Sequence, residues 1–367
     1  MKKNLFKVIW VLAACCSFTA CDTDDEPAYE YQEYSNGAYV VNAGNTASLI
    51  SGSLTHIDFT TFAATQKAFL KANGKNLGST ANDGIVYGNK VYVVVDGENT
   101  IEVLDKKSMI EIAQINTTKM LGDEEGAHPR HIIGSNGAVY FTTYGGYVAA
   151  VDTTKFALAG KWQVGSYPEG LAGINNFIYV ANSDYGRGNG TLSVINLTSN
   201  EVVTKAVEGV ENPQKIFFVN NELWVLDWGH YLSEAPWTQE NSGLKKVVNG
   251  KVNQTVPATL ADLAGSKFYI INSPYGTTTT TYSYYDAKAN TSGTFDFAVE
   301  HPTAIAVDPI KGNIFISSHS DAGGYASYNV DGYLMVFDAK GKELHKLDVG
   351  VGSCAIFFDA GVNVIRR

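Results

Sequence analysis

Cysteine and basic residues are both scarce in this chain of 367 residues. Of its four cysteines, three lie within the first 21 positions, which leaves Cys354 alone in the remainder. We therefore expect no disulfide, and a buried free thiol at Cys354. Lysine and arginine number 27 against 37 aspartates and glutamates, for a net charge of −10. Because phosphate binding needs clustered cations, we expect no nucleic acid as a partner.

Sequence motifs of catalysis are also missing. The chain contains no G-x-S-x-G turn, no H-E-x-x-H pair and no phosphate-binding P-loop. Its seven histidines are scattered, and only His128 and His131 lie close together, at a spacing that points them apart on a strand. We therefore predict that the protein is not an enzyme and holds neither a metal nor a cofactor.

A short hydrophobic run lies at the amino terminus. Residues 1–20 combine a basic start, an apolar core at Val8–Ala14 and small residues just before Cys21. This pattern predicts a secretory signal peptide whose core is too short to span a membrane as a stable helix. The segment resembles a bacterial lipoprotein signal, with Phe18 in place of the more usual leucine. That resemblance implies cleavage before Cys21 and lipidation of its thiol, whereas a plain secreted protein cleaved nearby is the alternative.

The next segment, residues 21–35, is acidic and poor in aliphatic side chains. Such a composition favours a flexible tether over a packed structure. The Asp-Asp-Glu run that follows Cys21 resembles the surface-export signal of lipoproteins in the Bacteroidetes. This resemblance implies an outer-membrane, lipid-anchored protein that faces the cell exterior.

The remaining chain is rich in short apolar runs that are separated by turn residues. One stretch, Tyr167–Leu197, contains the runs Leu171–Ile174, Phe177–Ala181 and Thr191–Leu197, and Glu201–Val207 follows it. Each run is rich in β-branched or aromatic residues and is closed by Asn, Gly, Asp or Ser. The pattern predicts a meander of four antiparallel strands.

The same pattern recurs along the chain, five times at a proline and once in a weaker copy that begins at Asp83-Gly84-Ile85. These prolines stand at positions 129, 168, 213, 257 and 302, with spacings of 39, 45, 44 and 45 residues. A four-stranded unit with a period of ~40–50 residues is typical of a propeller blade. We therefore predict a single all-β domain over residues 36–367, a β-propeller. A β-sandwich with coincidental turns is the alternative.

The repeats predict seven four-stranded blades. The first blade contains the strands Ala38–Asn42 and Ser53–Phe59 and lacks its innermost strand. The six other blades are expected at Asp83–Asn116, His128–Val164, Tyr167–Gly209, Asn212–Gln254, Val256–Phe297 and His301–Val349. The leftover run Ser353–Phe358 reads as an innermost strand without a blade. We expect this carboxyl-terminal strand to pair beside Ala38–Asn42 and close the ring, which removes exposed sheet edges.

One face of such a propeller gathers the loops that precede the innermost strands and those that follow the second strands. The second set is rich in aromatic and small polar residues, as adaptable recognition surfaces are. We therefore predict ligand contacts from these loops at Tyr144, Tyr185, Arg187, Trp228, His230, Tyr231, Trp237, Tyr275, His319 and Tyr325. The loops that carry the prolines add His128, Arg130, Tyr167, Glu169, Asn212, Gln214 and His301.

Several of these positions have simpler explanations. Some of the aromatic rings are expected only to pack the loops down. The charged side chains of Glu169 and Lys215 need solvent or a ligand at the channel mouth, and a solvated channel is the simpler case. Three histidines, His230, His301 and His319, map to the same face, so a histidine with a general acid such as Glu169 is an alternative that no motif specifies.

A family resemblance rests on the lipoprotein start, the Tyr- and Trp-rich loops and the blade sequence YPEGLAG…YVANSDYG…GTLSVINL. Over residues 35–358 the chain is similar to the seven-bladed propellers of the YncE-like and DUF5074 group, and among them to the BtuG-type surface lipoproteins. The resemblance implies capture of a corrinoid, such as cobalamin (vitamin B12), and its transfer to a BtuB-like TonB-dependent transporter. It also implies membrane attachment through the lipid anchor alone, and a monomer unless the transporter is bound.

Two other functions remain open at this point. A surface module that binds glycans or proteins would use Tyr185, Trp228 and Trp237 to stack on sugar rings or on a partner. A propeller enzyme such as a lyase or a quinoprotein would need a converging His/Glu cluster or a metal at the channel mouth.

Overall fold

The structure is a computed structural model that describes residues 29–235 and 237–366. The predicted signal peptide and Cys21 lie outside the described residues, as does most of the predicted tether. Residues 33–361 form one compact unit, and the described residues of a second unit, 29–32 and 362–366, are extended. The strand that begins at Tyr29 therefore already includes the last part of the predicted tether.

Most of the described chain forms seven four-stranded sheets, numbered here 1 to 7 in chain order. Sheet 1 contains β1 Tyr29–Asn42, β2 Ser53–Asp58, β3 Ala63–Thr65 and the last strand, β32 Ser353–Arg366. Sheet 2 contains β4 to β7, at Ala81–Tyr87, Lys90–Val95, Thr100–Asp105 and Glu111–Asn116. Sheet 3 contains β8 to β11, at Pro129–Ser135, Ala138–Thr143, Tyr147–Asp152 and Leu158–Gln163.

Sheets 4 to 7 repeat this arrangement. Sheet 4 contains β12 to β15, at Pro168–Ile174, Phe177–Asn182, Thr191–Asn196 and Val202–Ala206. Sheet 5 contains β16, β17, β20 and β21, at Pro213–Val219, Glu222–Asp227, Gly243–Val248 and Lys251–Val256. Sheet 6 contains β22 to β25, at Leu260–Ala264, Lys267–Asn272, Thr281–Asp286 and Thr291–Phe295. Sheet 7 contains β26, β27, β30 and β31, at Pro302–Val307, Ile314–Ser318, Tyr333–Phe337 and Glu343–Asp348.

Two small hairpins interrupt this repeat, and the sequence did not predict them. Strands β18 (His230–Tyr231) and β19 (Gln239–Glu240) form one hairpin, and β28 (Ser320–Asp321) and β29 (Ala326–Ser327) form the other. Each lies in the long loop after the second strand of its sheet, in sheets 5 and 7 respectively.

Helical structure is limited to two short helices and three 3₁₀ turns in the described residues. The helices are α1 (Ala68–Asn73) and α2 (Thr117–Leu121), and the turns lie at Thr46–Ser48, Asp96–Glu98 and Asp184–Gly186. None of these elements has the length and apolar content that a membrane-spanning helix requires.

The order of strands follows the predicted repeat closely. Pro129, Pro168, Pro213 and Pro302 each begin the first strand of a sheet, where a residue without an N–H group leaves no ladder bond unmade. In sheet 1 the order is β3-β2-β1-β32, so the carboxyl-terminal strand is hydrogen-bonded beside β1, the pairing expected from the sequence.

Burial decreases from the inner strands of a sheet to its last strand. In sheet 2, five of the six residues of β5 are buried, because both faces of this strand are covered. Buried or half-buried and exposed residues alternate along most of β7, the last strand of the same sheet. This difference explains why the inner strands read as continuous apolar runs in the sequence.

Apolar clusters fill the spaces between neighbouring sheets. For example, Val94 and Ile101 of sheet 2 pack with Val139 and Phe141 of sheet 3. Similar clusters join sheets 1 and 2, 3 and 4, 4 and 5, 5 and 6, and 6 and 7. A further cluster joins sheet 7 to sheet 1. Each sheet is therefore held by burial of apolar surface on both of its faces.

Gly170 lies where the first strands of sheets 4 and 5 approach each other closely. A Cβ atom at this position would lie 2.5 Å from the backbone oxygen of Gln214, which cannot move aside without shifting its strand. Gly170→Ala is therefore expected to lower the free energy of unfolding by about 1–3 kcal/mol, the usual effect of overpacking. Denaturation in urea measures this loss.

Gly173 on the same strand provides the matched control. A Cβ atom there would lie 3.4 Å from Cδ1 of Ile178, an ordinary packing distance to a side chain. Gly173→Ala should therefore change the free energy of unfolding by less than about 1 kcal/mol. Equal losses in the two variants would contradict the close approach of the two strands.

Candidate functional site

Backbone strain is found in the loops on the face where the sequence predicts a ligand site. His128, Tyr167, Asp184, Tyr185 and Trp237 adopt left-handed backbone conformations, with φ between 49° and 55°. Such conformations cost non-glycine residues about 1–3 kcal/mol each and persist where the surroundings hold them, often at functional sites.

A network of charged side chains joins the first strands of sheets 3 and 4 to the loop of sheet 2. Arg130 donates from Nε to Oε2 of Glu169 over 3.1 Å, and from Nη1 to Oδ2 of Asp96 over 3.1 Å. The second oxygen of Glu169 accepts a 2.6 Å hydrogen bond from the Tyr144 hydroxyl. His128 Nδ1 lies 3.1 Å from Oδ1 of Asp96. The arginine is therefore held in one position between two carboxylates.

Electrostatics fixes the protonation of Arg130 and Tyr144 in this network. Burial by itself would lower the pKa of Arg130, but Glu169, then Tyr144 and Asp96, outweigh it and raise the pKa. Burial, and next the charge of Glu169, also raise the pKa of Tyr144. The guanidinium therefore stays charged and the phenol stays a hydrogen-bond donor across the physiological range.

Three tyrosine rings pack against one another beside this network in edge-to-face and tilted contacts. The ring centroids of Tyr144 and Tyr167 are 5.0 Å apart, as are those of Tyr167 and Tyr185. Arg130 lies 4.6 Å from the centre of the Tyr144 ring, and Arg187 lies 5.2 Å from that of Tyr167. The structure thus brings together seven of the predicted contact residues on sheets 3 and 4: His128, Arg130, Tyr144, Tyr167, Glu169, Tyr185 and Arg187.

A second cluster of predicted residues lies between sheets 5 and 6. Trp228 donates from Nε1 to the backbone oxygen of Thr259 over 2.8 Å, which fixes the plane of the indole. Tyr231 and Tyr275 make an edge-to-face contact with centroids 6.0 Å apart. Gln239 connects these residues, because its side chain donates to Trp228 O and its backbone N–H donates to Tyr275 O, both over 2.9 Å. Gln239 could be recognised only from the hairpin pairing of β18 with β19.

Two adjoining cavities connect the clusters. The first, of 210 Å³, is lined by residues that include Arg130, Gln214 and Trp228. The second, also of 210 Å³, is lined by residues that include Trp228, Tyr231 and Tyr275. Trp228 lines both cavities and therefore stands at the boundary between the inner strands and the loop face.

A third cavity of 170 Å³ lies among the first strands and shares His131, Lys215 and Cys354 with the first cavity. His131 Nδ1 lies 3.0 Å from Oδ2 of Asp83 and Nε2 lies 3.6 Å from Oε2 of Glu169. Lys215 is exposed, as expected for a charged residue in a solvated channel. Asp83 and Asp96 contact these residues but are not among the predicted site residues, although Asp83 begins the weak copy of the repeated motif.

Cys354 is a free cysteine that is only half-buried, because it lines this region. The sequence predicts a buried free thiol; the thiol is free, but the residue as a whole is half-buried instead of buried. Burial of the sulfur, and next the charge of Asp83, raise the pKa of the Cys354 thiol to about 12. The thiol is therefore neutral and a poor nucleophile at physiological pH.

Three predicted contact residues are buried instead of open to a ligand. Glu169 is only 4% exposed, and Arg130 and Tyr144 satisfy its charge, so it does not need the solvent or ligand expected from the sequence. Asn212 and Gln214 are also buried, and Gln214 Nε2 donates to Asn212 Oδ1 over 2.7 Å. These hydrogen bonds hold the three side chains in position, and Gln214 also lines the first cavity.

The remaining predicted residues lie in the loops of sheets 5 and 7. His230 Nδ1 pairs with Glu211 at 2.7 Å, and His301 Nε2 pairs with Asp321 at 3.0 Å. His319 makes an edge-to-face contact with Tyr328. Trp237 and Tyr325 are 54% and 78% exposed. The backbone N–H of His319 donates to His301 O over 3.1 Å, so these two histidines are neighbours, but the described residues contain no three-ligand group that joins them to His230. Glu300, His301 and Asp321, in contrast, have the spacing of metal ligands.

Comparison with known protein families gives one match over most of the chain. The profile described as "Domain of unknown function (DUF5074)" matches residues 36–358. No curated protein matches the sequence.

Solved structures resemble the chain in fold. A functionally unknown protein from Desulfotomaculum acetoxidans DSM 771 has a TM-score of 0.59 at 13% identity, covering 90% of this chain and 99% of that one. Hydrazine synthase from Kuenenia stuttgartiensis has a TM-score of 0.58 at 12% identity, and the match covers 78% of this chain and 95% of that one. Streptogramin B lyase has a TM-score of 0.52 at 12% identity, and the match covers 78% of this chain and 93% of that one. At these identities the likeness concerns the fold alone, which is a β-propeller.

Proposed function

Because this chain belongs to the DUF5074 family and has a β-propeller fold, we propose that it is a surface ligand-binding protein that captures a corrinoid on its loop face. The observation that carries this proposal is the pair of cavities that meet at Trp228, with fixed aromatic rings and hydrogen-bonding groups around them. Ligand pockets typically combine such apolar walls with a few placed polar groups.

We further infer that the seven sheets are the blades of one closed ring. The apolar clusters support this inference, because each sheet packs against the next and sheet 7 packs against sheet 1. The position of β32 beside β1 also supports it, since a strand from the end of the chain would complete the first blade. A closed ring would leave no long sheet edge for aggregation.

A corrinoid matches the chemistry of this face. It is a wide, flat molecule with an apolar disc and amide groups around its rim. The indole of Trp228 and the exposed ring of Tyr275 offer planes for the disc. Arg130 and backbone groups of the loops offer hydrogen bonds for the amides. Because the rings and Arg130 are already held in place, little side-chain freedom would be lost on binding, which favours tight affinity.

The cellular context is part of the proposal. A lipoprotein signal that ends at Cys21 would anchor the chain in the outer membrane, and the acidic segment after it would direct the propeller to the cell exterior. A captured corrinoid would then pass to a BtuB-like TonB-dependent transporter, as in the BtuG-type lipoproteins that the sequence resembles. In this proposal the corrinoid is cargo, and the protein is not an enzyme.

A surface glycan is the second candidate ligand. Tyr185 is 64% exposed and Trp237 is 54% exposed, so both rings have free surface for stacking on a sugar. These two residues belong to different loops, which suits an extended chain of sugars better than a compact molecule.

Isothermal titration of the purified protein with cyanocobalamin and with cobinamide tests the proposal. We expect one-to-one binding of both compounds, because the corrin ring common to them would make the main contacts. Absence of heat and of any change in the visible corrinoid spectrum at micromolar concentrations would reject corrinoid capture. Binding on a glycan array in that case would identify the second candidate.

A further inference from the structure

Three side chains with metal-ligating atoms meet at the start of sheet 7. Glu300 and His301 precede β26, and Asp321 lies at the end of β28 in the neighbouring hairpin. One ligand atom from each of the three lies within 4.8 Å of the others. We propose that Glu300, His301 and Asp321 form a binding site for a divalent transition-metal ion, with Zn²⁺ as the favoured ion. The sequence alone does not predict a metal site here, because Glu300 and His301 lie in one segment and Asp321 lies in another.

The observed distances are compatible with zinc coordination. Nε2 of His301 and Oδ1 of Asp321 are 3.0 Å apart and at present share a hydrogen bond. Two ligand atoms at about 2.0–2.2 Å from a tetrahedral zinc ion lie about 3.3 Å from each other. A zinc ion could therefore replace the shared proton with little movement of either residue. Glu300 is exposed, so its carboxylate is free to move the short remaining distance.

Neighbouring groups hold two of the ligands in position. The carboxylate of Asp321 accepts backbone hydrogen bonds from Gly323 and Gly324 over 3.0 and 2.9 Å. The backbone N–H of His301 donates to Ser318 Oγ over 3.2 Å. The carboxylate and the imidazole are thus attached to separate segments that already face each other. A bound ion would connect the start of β26 to the β28–β29 hairpin.

The local charge favours a cation. In the described residues, no lysine or arginine forms an ion pair with Glu300 or Asp321, and His301 is the one basic partner of Asp321. Two carboxylates this close repel each other unless a positive charge lies between them. Imidazole together with carboxylate favours Zn²⁺, whereas Ca²⁺ and Mg²⁺ prefer oxygen ligands alone.

Titration of the tag-free protein with zinc chloride, without any corrinoid, tests this site. We expect binding of one ion, and a loss of affinity of at least about tenfold in both His301→Ala and Asp321→Asn, because the loss of even an outer-shell partner of a metal ligand costs roughly 10–100-fold. His128→Asn is the matched control, because His128 also pairs with one aspartate, Asp96, but is in no three-ligand group of the described chain. This control should bind zinc as the unchanged protein does.

A spectroscopic measurement on the unchanged protein complements the variants. Co²⁺ in a site with a nitrogen ligand and tetrahedral geometry gives visible absorption, which we expect to appear on addition of Co²⁺ and to disappear on addition of Zn²⁺. Zinc binding of equal affinity in the unchanged protein, His301→Ala and Asp321→Asn would overturn the assignment. Binding of Ca²⁺ in preference to Zn²⁺ would overturn it as well. Neither result depends on whether the protein binds corrinoids.

Discussion

Lys245→Met is expected to lower the free energy of unfolding by about 3–5 kcal/mol, the cost of leaving a buried charge without its partner. Lys245 Nζ lies 2.7 Å from Oδ2 of Asp227, and the two side chains are 1% and 0% exposed. Nζ also donates to the backbone oxygen of Gly209 over 2.8 Å. The apolar replacement fills most of the volume of the lysine, so the loss would come mainly from the unpaired carboxylate.

The neighbouring lysine offers a control for this prediction. Lys246 pairs with Glu222 at 2.6 Å, but these side chains are 20% and 41% exposed. Surface pairs contribute about 0–1 kcal/mol, so Lys246→Met should have a small effect. Urea denaturation followed by tryptophan fluorescence measures both variants. If Lys246→Met were as destabilising as Lys245→Met, burial of the ion pair would not be the cause.

Asp227 also connects this ion pair to the candidate site. Its carboxylate accepts backbone hydrogen bonds from Asn212 over 2.7 Å and from Gly229 over 3.1 Å. Gly229 directly follows Trp228, so the loss of Lys245 should also loosen the loop that carries the indole. Lys245 therefore acts as a positioning residue for the loop that carries Trp228.

Trp228→Ala is expected to weaken cyanocobalamin binding by at least about 100-fold, the effect of removing a central aromatic contact. The indole lines both cavities, and its hydrogen bond to Thr259 holds the plane in one orientation. Because the ring is already fixed, its contacts with a flat ligand would cost little ordering entropy. Titration calorimetry of the variant and the unchanged protein measures the difference.

Two further variants make this prediction specific. Trp162 lies on β11 and donates to Asn200, outside both cavities, so Trp162→Ala should leave cyanocobalamin affinity unchanged. Trp228→Phe keeps an aromatic ring but loses the hydrogen bond to Thr259, and an intermediate affinity is expected. Unchanged affinity in Trp228→Ala, measured in a folded variant, would rule out the loop face around this residue as the corrinoid site.

The strands could be predicted from the sequence because each repeat carries its own local signals. Pro168 begins β12, and turn residues end the runs that become β13 and β14. Neighbouring sheets cover both faces of each inner strand, so the apolar runs are continuous and easy to recognise. The long loops have no repeating apolar pattern of this kind. The hairpins within them, and the contacts of Gln239, could therefore not be predicted.

The contacts within the site were less accessible to sequence analysis than the strands. Glu169 appeared to need a ligand because its partner, Arg130, lies 39 residues earlier in the preceding repeat. Similarly, Glu300 and Asp321 come together only when the β28–β29 hairpin folds back towards His301. In both cases the decisive contact joins segments that are separated along the chain, and no local pattern in the sequence encodes it.

A crystal structure of the protein with bound cyanocobalamin tests the central claim most directly. Our account predicts that the corrin ring lies on the loop face, over the cavities lined by Arg130, Trp228 and Tyr275. The indole of Trp228 should then be in van der Waals contact with the ligand. A corrinoid bound on another face, or crystals grown at saturating cyanocobalamin that hold none, would contradict the account.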